Sequence, residues 1–248
     1  MSPRTYLATT GRILAQLRAD RRTVALIMGV PAVLLTLLYF VYSDQSGGEV
    51  LFNRVAVSMM AILPMLVMFL VTSVAMLRER TSGTLERLWT TPVHRADLLL
   101  GYATAFTLTA VGQSLLLCAV AAWALDVTIA SSWAWVVLTA LLDAFVGVAT
   151  GLVTSAFARS EFQAVQFMPV VISPQIFLCG LLVPRDELPR ALELAGNVLP
   201  MSWANDAVGE LASSAGVSGD FWRNMLWLAV AGVVVLLLAS MTTPRRSR

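Results

Sequence analysis

Apolar runs of membrane length alternate with short polar joints along this chain. Six runs, at residues 24–42, 55–77, 98–125, 133–158, 165–183 and 225–241, read as bilayer-crossing helices, because about 20 apolar residues suffice to cross the hydrocarbon layer. Arginines precede the first run, yet it is longer than the core of a secretory signal, and no small-x-small cleavage site follows in Tyr42 to Gly48. It is therefore expected to be a retained span. Ahead of it, Tyr6, Ile13, Leu14 and Leu17 recur between arginines, the pattern of a short helix lying in the membrane interface, with a basic tail as the alternative. Residues 184–220 are too polar to span but carry two helical stripes: Leu188, Ala191, Leu192 and Ala195, then Trp203, Ala207, Val208 and Leu211. Gly196-Asn197 is expected to end the first of these short helices and Ser202 to cap the second.

One joint stands apart. Between the second and third runs the chain reads RERTSGTLERLWTTPVHRADLLLGY, Arg78 to Tyr102. A connection that only rejoined two helices would need a few small residues. Here Arg78, Glu79, Arg80, Glu86, Arg87, Arg95 and Asp97 surround Leu85, Leu88 and Trp89 at helical spacing, which suggests an ion-paired, solvated helix that docks on something.

The composition agrees with a membrane chain, at 58% hydrophobic, 13% charged and a mean hydropathy of +0.77. All 17 basic residues are arginine. Without lysine the chain cannot use a lysine-dependent phosphate loop or Schiff-base chemistry, so any ATP that drives it is hydrolysed by another polypeptide. Arginine also orients the chain, since basic residues collect on the cytoplasmic side. With the N-terminus inside, 13 arginines fall in inner segments and four, Arg54, Arg185, Arg190 and Arg223, in outer ones. Both termini and the Arg78–Asp97 joint are thereby expected in the cytoplasm. Cys118, Cys179 and a single histidine, His94, make no zinc cluster or disulfide framework, and the thiols read as small buried hydrophobes.

Candidate chemistry inside the membrane is sparse. Asp143 is the one acid placed near mid-span; it either serves transport or bonds to Gln113 or Ser114 and locks two helices together. Met65, Met68, Thr72 and Met76 share a face of the second span and suit either a ligand surface or ordinary packing. Pro64, Pro169 and Pro174 are expected to kink their helices, and kinked helices either line a cavity or serve packing; Phe167 and Gln175 of the fifth span are further candidates for a substrate path. No G-x-S-x-G, H-E-x-x-H or paired-carboxylate site occurs, so the chain does not read as an enzyme.

The R-E-R-x-x-G-T-L-E-R-L-x-x-T-P run that begins at Arg78 resembles the cytoplasmic motif of ABC-2 type transporter permeases. The stretch LCGLLVPRDELPRALELAGNVLPMSWANDAVGEL, 178–211, resembles the same family's outer segment. The nearest subgroup looks like the daunorubicin-resistance exporters. That resemblance implies an all-α, six-span transmembrane domain over residues 1–248, with a coupling segment at 78–97 and outer re-entrant helices in 184–220. It implies that Glu79, Arg80, Gly83, Thr84, Leu85, Glu86, Arg87 and Leu88 couple to an ATPase, and that Glu161, in the turn Arg159-Ser160-Glu161, makes a second contact. Thr91-Pro92 would cap the helix into the third span. The implied partners are two ATPase copies, which bind the ATP and magnesium, and a second permease copy, identical or paralogous. The bilayer and a small hydrophobic substrate complete the set, with no nucleic acid.

The implied function is export of a hydrophobic or amphipathic drug-like compound from the cell by alternating access across the plasma membrane. The alternatives are export of a lipid or lipid-linked glycan, proton-coupled transport through Asp143, and a non-transport scaffold or lipid enzyme.

Overall fold

Where the apolar runs are longest the backbone has only its own groups to bond with, and the structure answers with helices throughout. The computed structural model describes residues 3–82 and 95–242. In chain order the helices are α1 (Pro3–Ala19), α2 (Arg21–Ser43), α3 (Gly48–Thr81), α4 (Arg95–Trp123), α5 (Trp133–Phe157), α6 (Glu161–Leu178), a 3-10 turn (Arg185–Glu187), α7 (Arg190–Asn197), α8 (Pro200–Ser213) and α9 (Gly219–Thr242). Five of these, α2, α3, α4, α5 and α9, are long and apolar enough to cross a membrane. The run expected at 165–183 lies in and just beyond α6, which is not among the five: Gln163, Gln166, Gln175 and two prolines dilute its 18 residues.

The helix α3 is the axis of the bundle. Its 34 residues extend about 50 Å at 1.5 Å per residue, well past the expected 55–77 at both ends. Its membrane window is 72% buried, against 17% for α2 and 22% for α9, so the other helices pack around it. Two hydrophobic clusters fill the interior. One, around Met60, Met65, Phe69, Met201, Val208 and Phe221, joins α3, α8 and α9; the other, around Ile13, Met68, Tyr102, Phe106 and Leu152, joins α1, α3, α4 and α5.

The contact of α3 with α5 is set by glycine. A Cβ on Gly147 would lie 2.4 Å from the Met65 carbonyl oxygen, and one on Gly151 would lie 2.6 Å from that of Phe69. The two positions advance together along both helices, so α3 and α5 run parallel with their backbones touching, the approach that small residues permit in membranes. At one end of the bundle Trp135, Phe221 and Trp222 stack edge to face, with centroids 5.3 to 5.8 Å apart, which ties the start of α5 to the start of α9. Each such pair contributes about 0.5–1.5 kcal/mol beyond the area it buries.

Three local expectations are corrected. Ser202 does not cap α8: Leu199 holds the cap position, Pro200 opens the helix, and the Ser202 hydroxyl is buried without a partner. Proline at the first helical position has its angle preset and no N–H to satisfy, so it fixes the start three residues earlier. The residue Asp97, counted among the solvated charges of the polar joint, is 1% exposed, because α4 begins before it and turns it inward. The third, the partner of Asp143, belongs with the site below.

Replacing Gly147 or Gly151 with alanine is expected to cost about 1–3 kcal/mol through overpacking. Gly29→Ala, where nothing lies within 4 Å of the added Cβ, should be neutral. Thermal unfolding of the purified chain in detergent makes the comparison, and equal melting for all three would mean that α3 and α5 do not touch.

Candidate functional site

At the end of α3 three consecutive residues, 100° apart on the helix, reach three different elements. Arg78 grips Glu161 at the start of α6 through two bonds, 2.7 Å from Nε and 2.9 Å from Nη2. Glu79 turns inward and meets Arg12 of α1, Nη1 to Oε1, at 3.4 Å. Arg80 donates to the carbonyl oxygen of Ser155 near the end of α5. The last helical turn before the polar joint is thus tied to α1, α5 and α6 at once.

The middle link is the most enclosed. The Glu79 side chain is 12% exposed and its Oε2 is buried with no hydrogen-bond partner. Arg12 also donates to the Tyr102 hydroxyl of α4, at 3.5 Å. Further along, Tyr6 and Thr104 bond through their hydroxyls at 2.8 Å, and Gly101 leaves room for Thr9, whose methyl lies 2.7 Å from the position of a Cβ. These contacts hold α1 against α4 with Ile13 buried between them. Arg12 and Tyr102 were not singled out from the sequence; the signal for them was Glu79 itself, an acid at the foot of an apolar helix that must find a cation.

Glu161 is exposed, and the hydrogen bonds from Arg78 hold its carboxyl below the usual glutamate range. Asp20, at the N-cap of α2, is held low in the same way by the Thr23 hydroxyl and backbone N–H, at 2.6 and 3.1 Å. Of the motif residues, Glu79, Arg80 and Glu161 are therefore placed, while Gly83, Thr84, Leu85, Glu86, Arg87, Leu88 and Thr91-Pro92 lie outside the described residues.

Beside this end opens a cavity of about 990 Å³ between α1, α2 and α3. Its α3 wall is Leu66, Leu70, Val71 and Val74. Met65, Met68 and Thr72 point the opposite way and are fully buried, the methionines in the clusters and Thr72 against Gly151. Gln175 is buried and bonded: its Nε2 donates to the Val171 carbonyl at 3.1 Å and its Oε1 accepts the Met201 N–H at 3.4 Å, near the start of α8. Phe167 is half-buried against Leu77, Ala158 and Ala164.

Asp143 is wholly buried. The expected bond to Gln113 or Ser114 is not formed, for both Asp143 oxygens, both Gln113 amide atoms and the Ser114 hydroxyl have no hydrogen-bond partner. Close packing of the small residues around the α3 and α5 contact encloses the carboxyl without offering it a donor. Among the described residues no group of His, Cys, Asp and Glu is placed to hold a metal ion.

The far end of the bundle carries a second cavity, of about 750 Å³ and more polar. Arg185 reaches across it to Asp206 of α8, and Asn205 donates to the Cys179 carbonyl at 3.0 Å. Burial raises the Asp206 carboxyl above its ordinary value, and the Arg185 charge opposes that rise.

From α1 through most of α8, residues 4–211 match one protein family, described as ABC-2 type transporter. The chain belongs to the ABC-2 type transporter family. Among its ABC-2 relatives, it is 26% identical over 170 residues to the probable multidrug ABC transporter permease YbhR of Escherichia coli (strain K12), covering 68% of this chain and 46% of that one. To the probable multidrug ABC transporter permease YbhS of the same strain it is 25% identical over 203 residues, covering 79% and 54%. To ABC transporter G family member 20 of Dictyostelium discoideum it is 30% identical over 141 residues, covering 57% and 19%. This ABC-2 chain thus spans about half the length of the two bacterial relatives and a fifth of the third.

In this ABC-2 chain, Arg12→Ala and Glu79→Ala should each cost about 1–3 kcal/mol, because each leaves a charge without its partner. The double substitution should cost less than their sum, as expected for groups in contact. Thermal unfolding of the four proteins measures the cycle, and strict additivity would remove the α1–α3 link.

Proposed function

We propose that this chain is the membrane permease subunit of an ATP-driven exporter that moves a hydrophobic or amphipathic, drug-like compound out of the cell. Family membership carries this reading, and two relatives named as probable multidrug permeases support the substrate class. Daunorubicin-type antibiotics are the proposed nearest examples. In the proposed arrangement α6 with the turn after it is a sixth crossing, both termini are cytoplasmic, and α7 with α8 dips into the outer leaflet. Two permease copies, identical or paralogous, stand on two ATPase subunits that bind ATP and magnesium.

Residues 78–97 are the proposed coupling segment. Apolar Leu85 and Leu88 fill a groove on the ATPase while Glu86 and Arg87 fix its register through charge pairs. Motion of the ATPase is delivered to the foot of α3, and there Arg78, Glu79 and Arg80 pass it to α6, α1 and α5. On this reading Glu79 couples indirectly, by holding α1, and Glu161 by holding Arg78.

The double substitution Leu85→Asp with Leu88→Asp should separate the ATPase from the permease on purification and abolish export, with the permease still folded. An intact complex that exports normally would show that the segment is not where the ATPase docks.

A further inference from the structure

Asp143 of α5 and Gln113 and Ser114 of α4 are each at most 1% exposed. Both Asp143 oxygens, both Gln113 amide atoms and the Ser114 hydroxyl have no hydrogen-bond partner. Chain register sets the three residues at one level. Gln113 lies ten residues before α4 ends at Trp123, and Asp143 ten residues after α5 begins at Trp133. The two helices run antiparallel, since Tyr102, Phe106 and Ala110 cluster with Ala144, Val148 and Leu152, while Leu117 and Ala121 cluster with Val136. The polar residues fall at the seam between these clusters, about 15 Å from the tryptophans at 1.5 Å per residue. Tryptophan favours the membrane surface, so that depth is close to the bilayer midplane.

The helix α3 adds a fourth group. Asp143 shares a face of α5 with Gly147 and Gly151, the positions that touch α3. Stepping back four residues from Gly147 and Met65, which meet, sets Asp143 against Ala61, next to Met60. Pro64 lies inside α3 and brings no N–H, so the Met60 carbonyl loses the bond that an α-helix would give it.

Oxygen is in excess at this level. Asp143 offers two oxygens and Gln113, Ser114 and Met60 one each, against hydrogens only on the Gln113 amide and the Ser114 hydroxyl. A buried carboxylate needs a positive partner, and among the described residues no arginine pairs with Asp143. A proton would serve one carboxyl oxygen and one acceptor, whereas a cation contacts every oxygen at once. One carboxylate cancels one positive charge, which makes the ion monovalent. Neither cavity reaches these residues, and the backbones of α3 and α5 touch one turn further on. Such a site suits a bare sodium ion, smaller than a water molecule or potassium.

We propose that Asp143, Gln113, Ser114 and the Met60 carbonyl bind a sodium ion between α3, α4 and α5. The ion neutralises Asp143 and ties three helices together where a proline has opened one of them, as interrupted membrane helices do when their freed carbonyls hold cations. The site goes beyond the export reading and does not rest on it.

The full chain in phosphatidylcholine nanodiscs, without ATPase or nucleotide, is titrated with radioactive sodium in choline chloride at fixed pH and ionic strength. Saturable binding of one ion per chain is expected, and the melting temperature should climb with sodium and far less with potassium. Asp143→Asn keeps the size, removes the charge and should abolish saturable binding. Pro64→Ala returns an N–H to the Met60 carbonyl and Gln113→Leu removes an oxygen; each should weaken binding several-fold in a chain that still melts cooperatively, and these two decide the matter should Asp143→Asn not fold. No saturable binding by the folded parent chain would overturn the proposal. So would sodium binding indifferent to the substitutions, or melting that follows pH and ignores sodium, the mark of a proton alone. Binding as expected by a chain whose complex exports nothing would sink the export reading and leave the sodium site standing.

Discussion

The backbones of α3 and α5 touch, and the rest of the molecule is arranged around that contact. In a bilayer the hydrophobic effect does not draw helices together, so close approach and dispersion must do it. Gly147 and Gly151 provide the approach, bringing the carbonyls of Met65 and Phe69 within the space a side chain would occupy. The helix α3 thereby has a stiff parallel brace along its middle, and a bond from Arg80 to Ser155 fastens the two again at the foot. A push at the foot of α3 would move the pair as a unit.

The brace explains why two of the three charged residues at that foot, Glu79 and Arg80, look inward while Arg78 stays exposed. A free helix end would leave Arg78, Glu79 and Arg80 in water, where exposed ion pairs contribute little. Here α1 lies across the end, so Glu79 is largely enclosed and meets Arg12, and Tyr102 bonds the same guanidinium. The proposed coupling segment leaves from a turn that is already attached to three other helices. That is the property a lever needs: force applied to residues 83–94 would reach α1, α5 and α6 without bending α3.

Much of this was legible in the amino-acid order. Span length and hydropathy located the five long helices, and the stripe Tyr6, Ile13, Leu14 and Leu17 located α1, because burial in one dimension leaves a periodic trace. The second stripe after Pro184 located α8, but its start was misread at Ser202, where a local cap signal lost to Pro200. The family resemblance named Glu79 and Arg80 in the polar motif and Glu161 in a separate turn as coupling residues without telling which way they face. Facing depends on contacts between segments distant in sequence, such as Arg12 with Glu79 and Arg78 with Glu161, and one helix's periodicity does not encode them. The cleft was missed for the same reason. Met65, Met68 and Thr72 drew attention by composition, yet the ordinary leucines and valines on the other side of α3 line the open space.

The central proposal is that an ATP-hydrolysing partner grips this chain through the coupling segment, residues 78–97. A photoreactive benzophenone side chain placed at Leu85 or Leu88 in intact cells tests it most directly, with Leu194 and Val198 of the far end as controls. The account predicts light-dependent cross-links from 85 and 88 to a nucleotide-binding subunit and none from 194 or 198. Cross-links to such a subunit from the far end, or their absence at 85 and 88 in a chain that still exports, would contradict it.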